Sequence, residues 1–249
     1  MASLGYFVYL AYRRPPVSTF AGWMVGFGWV CPTFTIGIRS SQTGHGPYTT
    51  SFEVALFLSW LMVVVYFLTE WKYKIKDLGA FVIPLVFVVM LFSAFLSKET
   101  ALVPESEVRF WVTMPRTLSI MGYAAFSIAF AAGIMYLIQE HQVKSKKLGM
   151  MYFRMPSLEV LDDLNFKVIM IGFPLFTLGF MTGSIWNTQM DLPFFSWDLT
   201  RTLPLVATWL IYCMVFFGRM IVGMRGKKAA QGAILGFITV IGTYFLHII

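Results

Sequence analysis

Phe194, Phe195, Trp197 and Asp198 bring three aromatic rings and a carboxylate together in FFSWD, in the gap between two long apolar runs. Lipid packing alone does not ask for that grouping. Rings beside polar loop groups suit a platform for a flat ligand such as haem or a quinone head. The same residues also suit an aromatic belt at a membrane boundary, with Asp198 capping the next helix and reaching Arg201 three residues on. Residue type leaves both readings open.

Haem iron takes an axial nitrogen or sulfur ligand, and the chain has 3 histidines: His45, His141 and His247. Loop alternation puts His45, in TGHGPY, on the same side as FFSWD. His141 falls in a basic loop on the other side, and His247 comes within the last residues. His45 is either a ligand or a turn residue in a loop tightened by two glycines and a proline. Among 16 methionines, Met114 and Met190 are the soft donors expected on the FFSWD side; the rest read as filling between helices. Cys31 and Cys213 lie in apolar runs and form neither CxxC nor CxxCH, which argues against a thiolate metal cluster and against haem attached covalently to this chain.

Long apolar helices must hold these loops in place. Of 249 residues 58% are apolar and only 12% charged, with a mean hydropathy of +0.72, too few charges to cover a soluble domain. The apolar blocks approach the roughly 20 residues that a crossing requires. The expected fold is all-α, a polytopic transmembrane helical bundle in a single domain over 1–249. It has about seven full crossings, near Val17–Ile38, Phe52–Thr69, Leu78–Leu96, Thr117–Gln139, Phe166–Trp186, Thr202–Val222 and Gln231–Ile249. Pro32, Pro84, Pro174 and Pro204 mark bends rather than breaks. The N-terminal apolar run Leu4–Tyr12 is short for a crossing and reads as an interfacial stub or part of one. Arg13 and Arg14 follow it, which is the wrong order for a cleavable signal peptide.

The net charge of +7 lies in loops that alternate along the chain, so it indicates topology rather than a nucleic-acid partner. Arg13–Arg14, Glu70–Asp77, the stretch from His141 through Arg154, and Met224–Ala230 carry most of the lysine and arginine. These loops are expected in the cytoplasm, with FFSWD and the C-terminus on the outer side, most naturally of a bacterial cytoplasmic membrane. Thr49, Thr50 or Ser51 is placed to cap the second crossing, with Glu53 in its first turn and Arg39 as a partner. Glu159, Asp162 and Asp163 read as an acidic first turn or an amphipathic, interfacial lead-in to the fifth crossing rather than as a catalytic pair. No nucleotide motif, triad or histidine–carboxylate chain is present, so the chain is expected not to be catalytic by itself.

Several stretches, in order, resemble the CcsA/ResC branch of the cytochrome c assembly membrane proteins. They are GIRSSQTGHGPYTTSFEVALFLSW (Gly37–Trp60), LGAFVIPLVFV (Leu78–Val88), MGYAAFSIAFAAGIMYL (Met121–Leu137), the run Pro156–Trp186, and TWLIY followed by MRGKKAA. The resemblance covers nearly the whole chain. It implies haem handling for c-type cytochrome maturation on the outer side of an energy-coupling membrane, with a tryptophan-rich motif flanked by histidine ligands. This chain keeps Ser196, Trp197 and Asp198 but has Asp191, Phe194 and Phe195 where tryptophan or other aromatics are expected. Pro32, Pro115 and Phe217 stand where the resemblance expects three ligand histidines, and the last expected crossing ends almost at His247, before the place where the resemblance expects a distal segment with the fourth. Neither proline nor phenylalanine can bind iron axially. The expectation is therefore a haem-free relative serving as a membrane scaffold or partner-binding subunit of a larger electron-transfer complex. Its partners would be integral membrane subunits and c-type or multihaem cytochromes, with any haem belonging to the partner. The alternative is a biogenesis factor that handles haem itself.

Overall fold

The computed structural model describes residues 3, 5–6, 15–97, 110–146, 149, 152–153, 155–189 and 199–246. Every regular element among them is helical. Seven long helices follow one another: α1 (Pro15–Thr43), α2 (Ser51–Tyr73), α3 (Gly79–Ala94), α4 (Phe110–Lys144), α5 (Leu158–Gln189), α6 (Leu199–Ile221) and α7 (Lys227–Leu246). A 3-10 turn, Lys76–Leu78, leads into α3. Six stretches are long and apolar enough to cross a membrane: Thr19–Thr43, Ser51–Tyr73, Lys76–Ala94, Thr113–Lys144, Leu158–Ile185 and Thr202–Ile221. The seventh expected crossing coincides with α7, although residues 247–249 lie outside the described residues. A helix is the only open-ended segment that satisfies its own backbone in lipid, so long apolar runs become helices almost without regard to propensity.

The observed helices overrun the expected crossings, most clearly in α4 and α5. Lys72, Lys74, Lys76, Lys144, Lys146, Arg225, Lys227 and Lys228 gather where α2, α4 and α6 end and where α3, α5 and α7 begin. This is called the basic end below.

α4 is the central strut and packs on α2, α5 and α7. One of its faces carries Ala124, Ile128, Ala132 and Met135 against a core that includes Leu58, Met62, Tyr66 and Val82. The other carries Phe126 and Ala129 against Phe173, Phe176, Tyr212 and Phe237. The Phe126 and Tyr212 rings lie nearly parallel, 7° apart, with centroids at 3.5 Å. α1 is the contrasting case: only 17% of its spanning window is buried, against 67% for α4, so α1 flanks the bundle.

In lipid the helices gain little from burying more hydrocarbon, so close contact and interhelical hydrogen bonds hold them together. At Gly172 an added Cβ would come within 2.8 Å of Ala125 Cβ, and at Gly179 within 2.7 Å of the Pro115 carbonyl oxygen. Small residues therefore set the α4–α5 separation. Asn165 Nδ2 donates to Ala129 O across the same interface at 2.8 Å. Trp209 Nε1 donates to Thr177 Oγ1 at 3.1 Å, and Thr208 Oγ1 to Thr239 Oγ1 at 2.9 Å, tying α6 to α5 and α7. Bonds of this kind in membranes contribute on the order of 0.6 kcal/mol each.

Two local features add detail to the sequence reading. The acidic stretch that leads into the fifth crossing is the opening of α5, with Glu159 in its first turn. Asp162 accepts from Arg219 Nη1 at 2.6 Å and from the Gly226 amide at 2.8 Å, while Asp163 pairs with Lys167 at 2.6 Å. Gly223 and Gly226, both at φ 69°, form the left-handed turn that delivers the amide to Asp162. The described part of the short N-terminal run is packed inside the bundle: Tyr6 is 1% exposed, and Tyr66 Oη donates to its hydroxyl at 3.0 Å.

Candidate functional site

The end opposite the basic loops is organised by the turn between α1 and α2. Gly44, at φ 73°, stops α1 and donates its N–H back to Ser40 O at 3.0 Å. The following chain must then turn into α2, and TGHGPYTT supplies the flexible and rigid residues to do it. Thr50 caps α2 in the expected box: its Oγ1 accepts from the Glu53 amide at 3.2 Å, and Glu53 Oε2 accepts from the Thr50 amide at 3.3 Å. Glu53 Oε2 also accepts from the Thr49 amide at 3.3 Å. Its other oxygen pairs with Arg39, 3.2 Å from Nε and 3.1 Å from Nη2. Glu53 is 2% exposed, so this carboxylate anchors the turn.

His45 is held inside that frame. Its ring is 5% exposed, with Nδ1 2.9 Å from the Gly46 carbonyl oxygen and 3.1 Å from Thr49 Oγ1. A carbonyl can only accept, so the Gly46 contact assigns a proton to Nδ1. Histidine ligands to metals commonly have this arrangement, with the second nitrogen fixed by a backbone carbonyl. Tyr48 then ties the turn to α4 through a 2.9 Å contact between its Oη and Thr113 Oγ1. Two residues further along α4, the Pro115 carbonyl lies against Gly179 of α5. The His45 turn, the start of α4, the last turns of α5 and the start of α6 thus share one end of the bundle.

Phe194, Phe195, Trp197 and Asp198, with Met190 and Asp191, lie outside the described residues, as does His247. The structure does place the helices on either side of their loop, α5 and α6, at the His45 end. Of the positions where the resemblance expects ligand histidines, Pro32 and Pro115 sit within α1 and α4, and Phe217 is 46% exposed on α6. No group of three or more histidine, cysteine or acidic residues capable of holding a metal occurs among the described residues. Among the described residues of this end, the histidine present is His45, buried in the turn. Asp162 is bound by Arg219 and the Gly226 amide, and Asp163 pairs with Lys167.

The sequence reading did not anticipate a cavity of about 300 Å³ between α1, α2 and α3, lined in part by Trp29, Pro32, Ser59 and Trp60. The two indoles stack with centroids 5.2 Å apart and planes 22° apart. Nothing in the spacing of Trp29 and Trp60, 31 residues apart on different helices, signals that they meet.

The bundle defines a class, the polytopic helical membrane proteins, and a buried histidine turn distinguishes one of its ends. The chain belongs to the Cytochrome C assembly protein family, whose profile matches residues 48–248. It is 28% identical over 241 residues to the cytochrome c biogenesis protein CcsA of Guillardia theta, covering 87% of this chain and 79% of that one. It is 27% identical to the CcsA of Pyropia yezoensis, covering 84% of this chain and 77% of that one. The CcsA of Chlorella vulgaris is 26% identical, over 96% of this chain and 86% of its own length.

Proposed function

We propose that this protein acts in cytochrome c biogenesis, handling haem at the end of the bundle opposite the basic loops. The observation that carries this is the His45 ring, buried in the turn between α1 and α2 and held there through Nδ1 at the Gly46 carbonyl. The family membership makes haem the appropriate ligand to test there. Haem bound at this end would bring iron chemistry; His45 would help to hold it, and Glu53 and Arg39 would fix the turn that carries His45. Phe194, Phe195, Trp197 and Asp198 would provide the stacking surface from the loop joining α5 and α6. With the basic loops in the cytoplasm, this end faces outward, and a bacterial cytoplasmic membrane is the setting we propose.

A second reading draws support from Pro32, Pro115 and Phe217, none of which offers a nitrogen where the resemblance expects one. On that reading the protein is a haem-free scaffold for a cytochrome-containing electron-transfer complex, binding integral membrane subunits and c-type or multihaem cytochromes.

One preparation separates the two. The full-length protein, gently extracted from haem-replete membranes, is assayed for haem by optical spectroscopy and for co-purifying proteins by mass spectrometry. Haem retained by the isolated chain and lost in His45→Ala or Trp197→Ala supports haem handling. A haem-free chain that carries a cytochrome in fixed ratio sinks it in favour of the scaffold.

A further inference from the structure

At the basic end, the chain leaves α2 through WKYKIKD, and its side chains alternate. Lys72, Lys74 and Lys76 are exposed, Ile75 and Asp77 are buried between them, and Tyr73 is half-buried. The cause is a break in the helix. Lys74 ends α2 at φ 55°, in the left-handed region, and Ile75 leaves it at φ −95° and ψ 85°. Three lysines thereby come to share the outward side of one short turn. A lysine at that φ is strained where a glycine would not be.

Among the described residues, no carboxylate pairs with these three lysines. The acids nearest in sequence are engaged elsewhere: Asp77 is buried, and Glu70 meets the Tyr66 hydroxyl. Residues 7–14 and 147–154, which adjoin this end, contain neither aspartate nor glutamate. A further cation arrives from α5. Lys167 Nζ stands 5.6 Å from the centroid of the Tyr73 ring, and Lys72 Nζ stands 5.8 Å from the same centroid. Lys167 brings Asp163 with it, but the lysines of the turn bring no anion. Like charges gathered in this way attract one from outside the chain.

The surface beside the turn says which anion. Leu68 and Trp71 are 58% and 81% exposed, and with Lys72 they are spaced to share one face of α2. Leu68 lies about 6 Å below Lys72 along the helix, at 1.5 Å per residue. An exposed tryptophan at this level suits the boundary between hydrocarbon and headgroups. An apolar strip that runs into a cationic turn matches an acyl chain that runs into a charged phosphate; a soluble anion would leave the strip unused. We infer that this turn binds an anionic phospholipid of the leaflet at the basic end. Its phosphate lies among Lys72, Lys74 and Lys76, and one acyl chain lies along Leu68 and Trp71.

The test titrates the full-length protein in detergent and counts bound lipid by native mass spectrometry. The probes are dioleoylphosphatidylglycerol and dioleoylphosphatidylcholine, which has the same chains but no net charge. Phosphatidylglycerol should be retained, and phosphatidylcholine should bind about tenfold more weakly. Lys72→Gln and Lys76→Gln should each weaken phosphatidylglycerol about fivefold and leave phosphatidylcholine unchanged. Lys74→Gly separates binding from folding: glycine relieves the left-handed residue, so the melting temperature should hold while phosphatidylglycerol binding drops about fivefold. Trp71→Ala should weaken both lipids alike. Lys227 and Lys228 are exposed at the start of α7, which packs on α4, α5 and α6. Changing both to glutamine should leave binding intact. Equal retention of the two lipids, unchanged binding in Lys74→Gly, or an equal loss from the Lys227 and Lys228 changes overturns the inference. So does displacement of the lipid by an equal concentration of glycerol 3-phosphate, which would mark a site for a soluble anion.

Discussion

Arg219 Nη1 lies 2.6 Å from Asp162 Oδ2, and the second oxygen of that carboxylate takes the Gly226 amide at 2.8 Å. The guanidinium also stands over the Phe166 ring, 4.8 Å from its centroid. One side chain thereby joins α5, the end of α6 and the turn into α7. The two side chains are 15% and 11% exposed, so removing either leaves a largely buried charge without its counterpart.

Asp162→Ala should destabilise the bundle by about 3 kcal/mol, since breaking a buried pair costs far more than an exposed one. Thermal unfolding of the detergent-solubilised protein measures it. In a double-mutant cycle Arg219→Ala should add little to Asp162→Ala; full additivity would mean the two side chains are not coupled.

Glu53 links the α2 cap to Arg39, and the two roles separate by substitution. Thr50→Ala removes only the cap acceptor and should cost about 1 kcal/mol. Glu53→Gln keeps a carbonyl for the Thr49 and Thr50 amides but deprives Arg39 of its anion, and should cost more than Thr50→Ala. Hydrogen exchange of residues 44–54 would locate the loosening at this turn; a uniform change along the chain would contradict it.

Glycines in crowded and in open surroundings should respond differently. Gly179→Ala puts a Cβ 2.7 Å from the Pro115 carbonyl, which is helix backbone and cannot swing aside. Pushing α4 from α5 should cost about 1–3 kcal/mol. Gly26→Ala meets open space, and the shift in melting temperature should be near zero or slightly upward.

Tyr6 offers a check on the N-terminal segment. Tyr66→Phe removes the hydroxyl that meets both Tyr6 and Glu70 and should cost roughly 1 kcal/mol. Gly79→Ala should cost more, because the new methyl would lie 2.6 Å from both Tyr6 Cε1 and Tyr66 Oη. Equal melting temperatures for the two variants would place Tyr6 elsewhere.

The sequence alone determined that the chain is a helical membrane bundle, because lipid leaves the backbone so few ways to satisfy itself that length and apolarity decide the element. Local chemistry was legible too: Thr50 and Glu53 are three residues apart, and Arg39 lies within the reach of a short turn. The acidic residues Glu159, Asp162 and Asp163 were visible as a cluster, but Asp162's partner is 57 residues away and was not. Only the tertiary structure decided that, as it decided the meeting of Trp29 with Trp60 and the burial of Tyr6. The reason is the solvent. Where lipid lets a helix be apolar on every side, the pattern of hydrophobic residues no longer says which face meets a neighbour, and pairing depends on small residues and single polar atoms that show their purpose only when the helices are side by side.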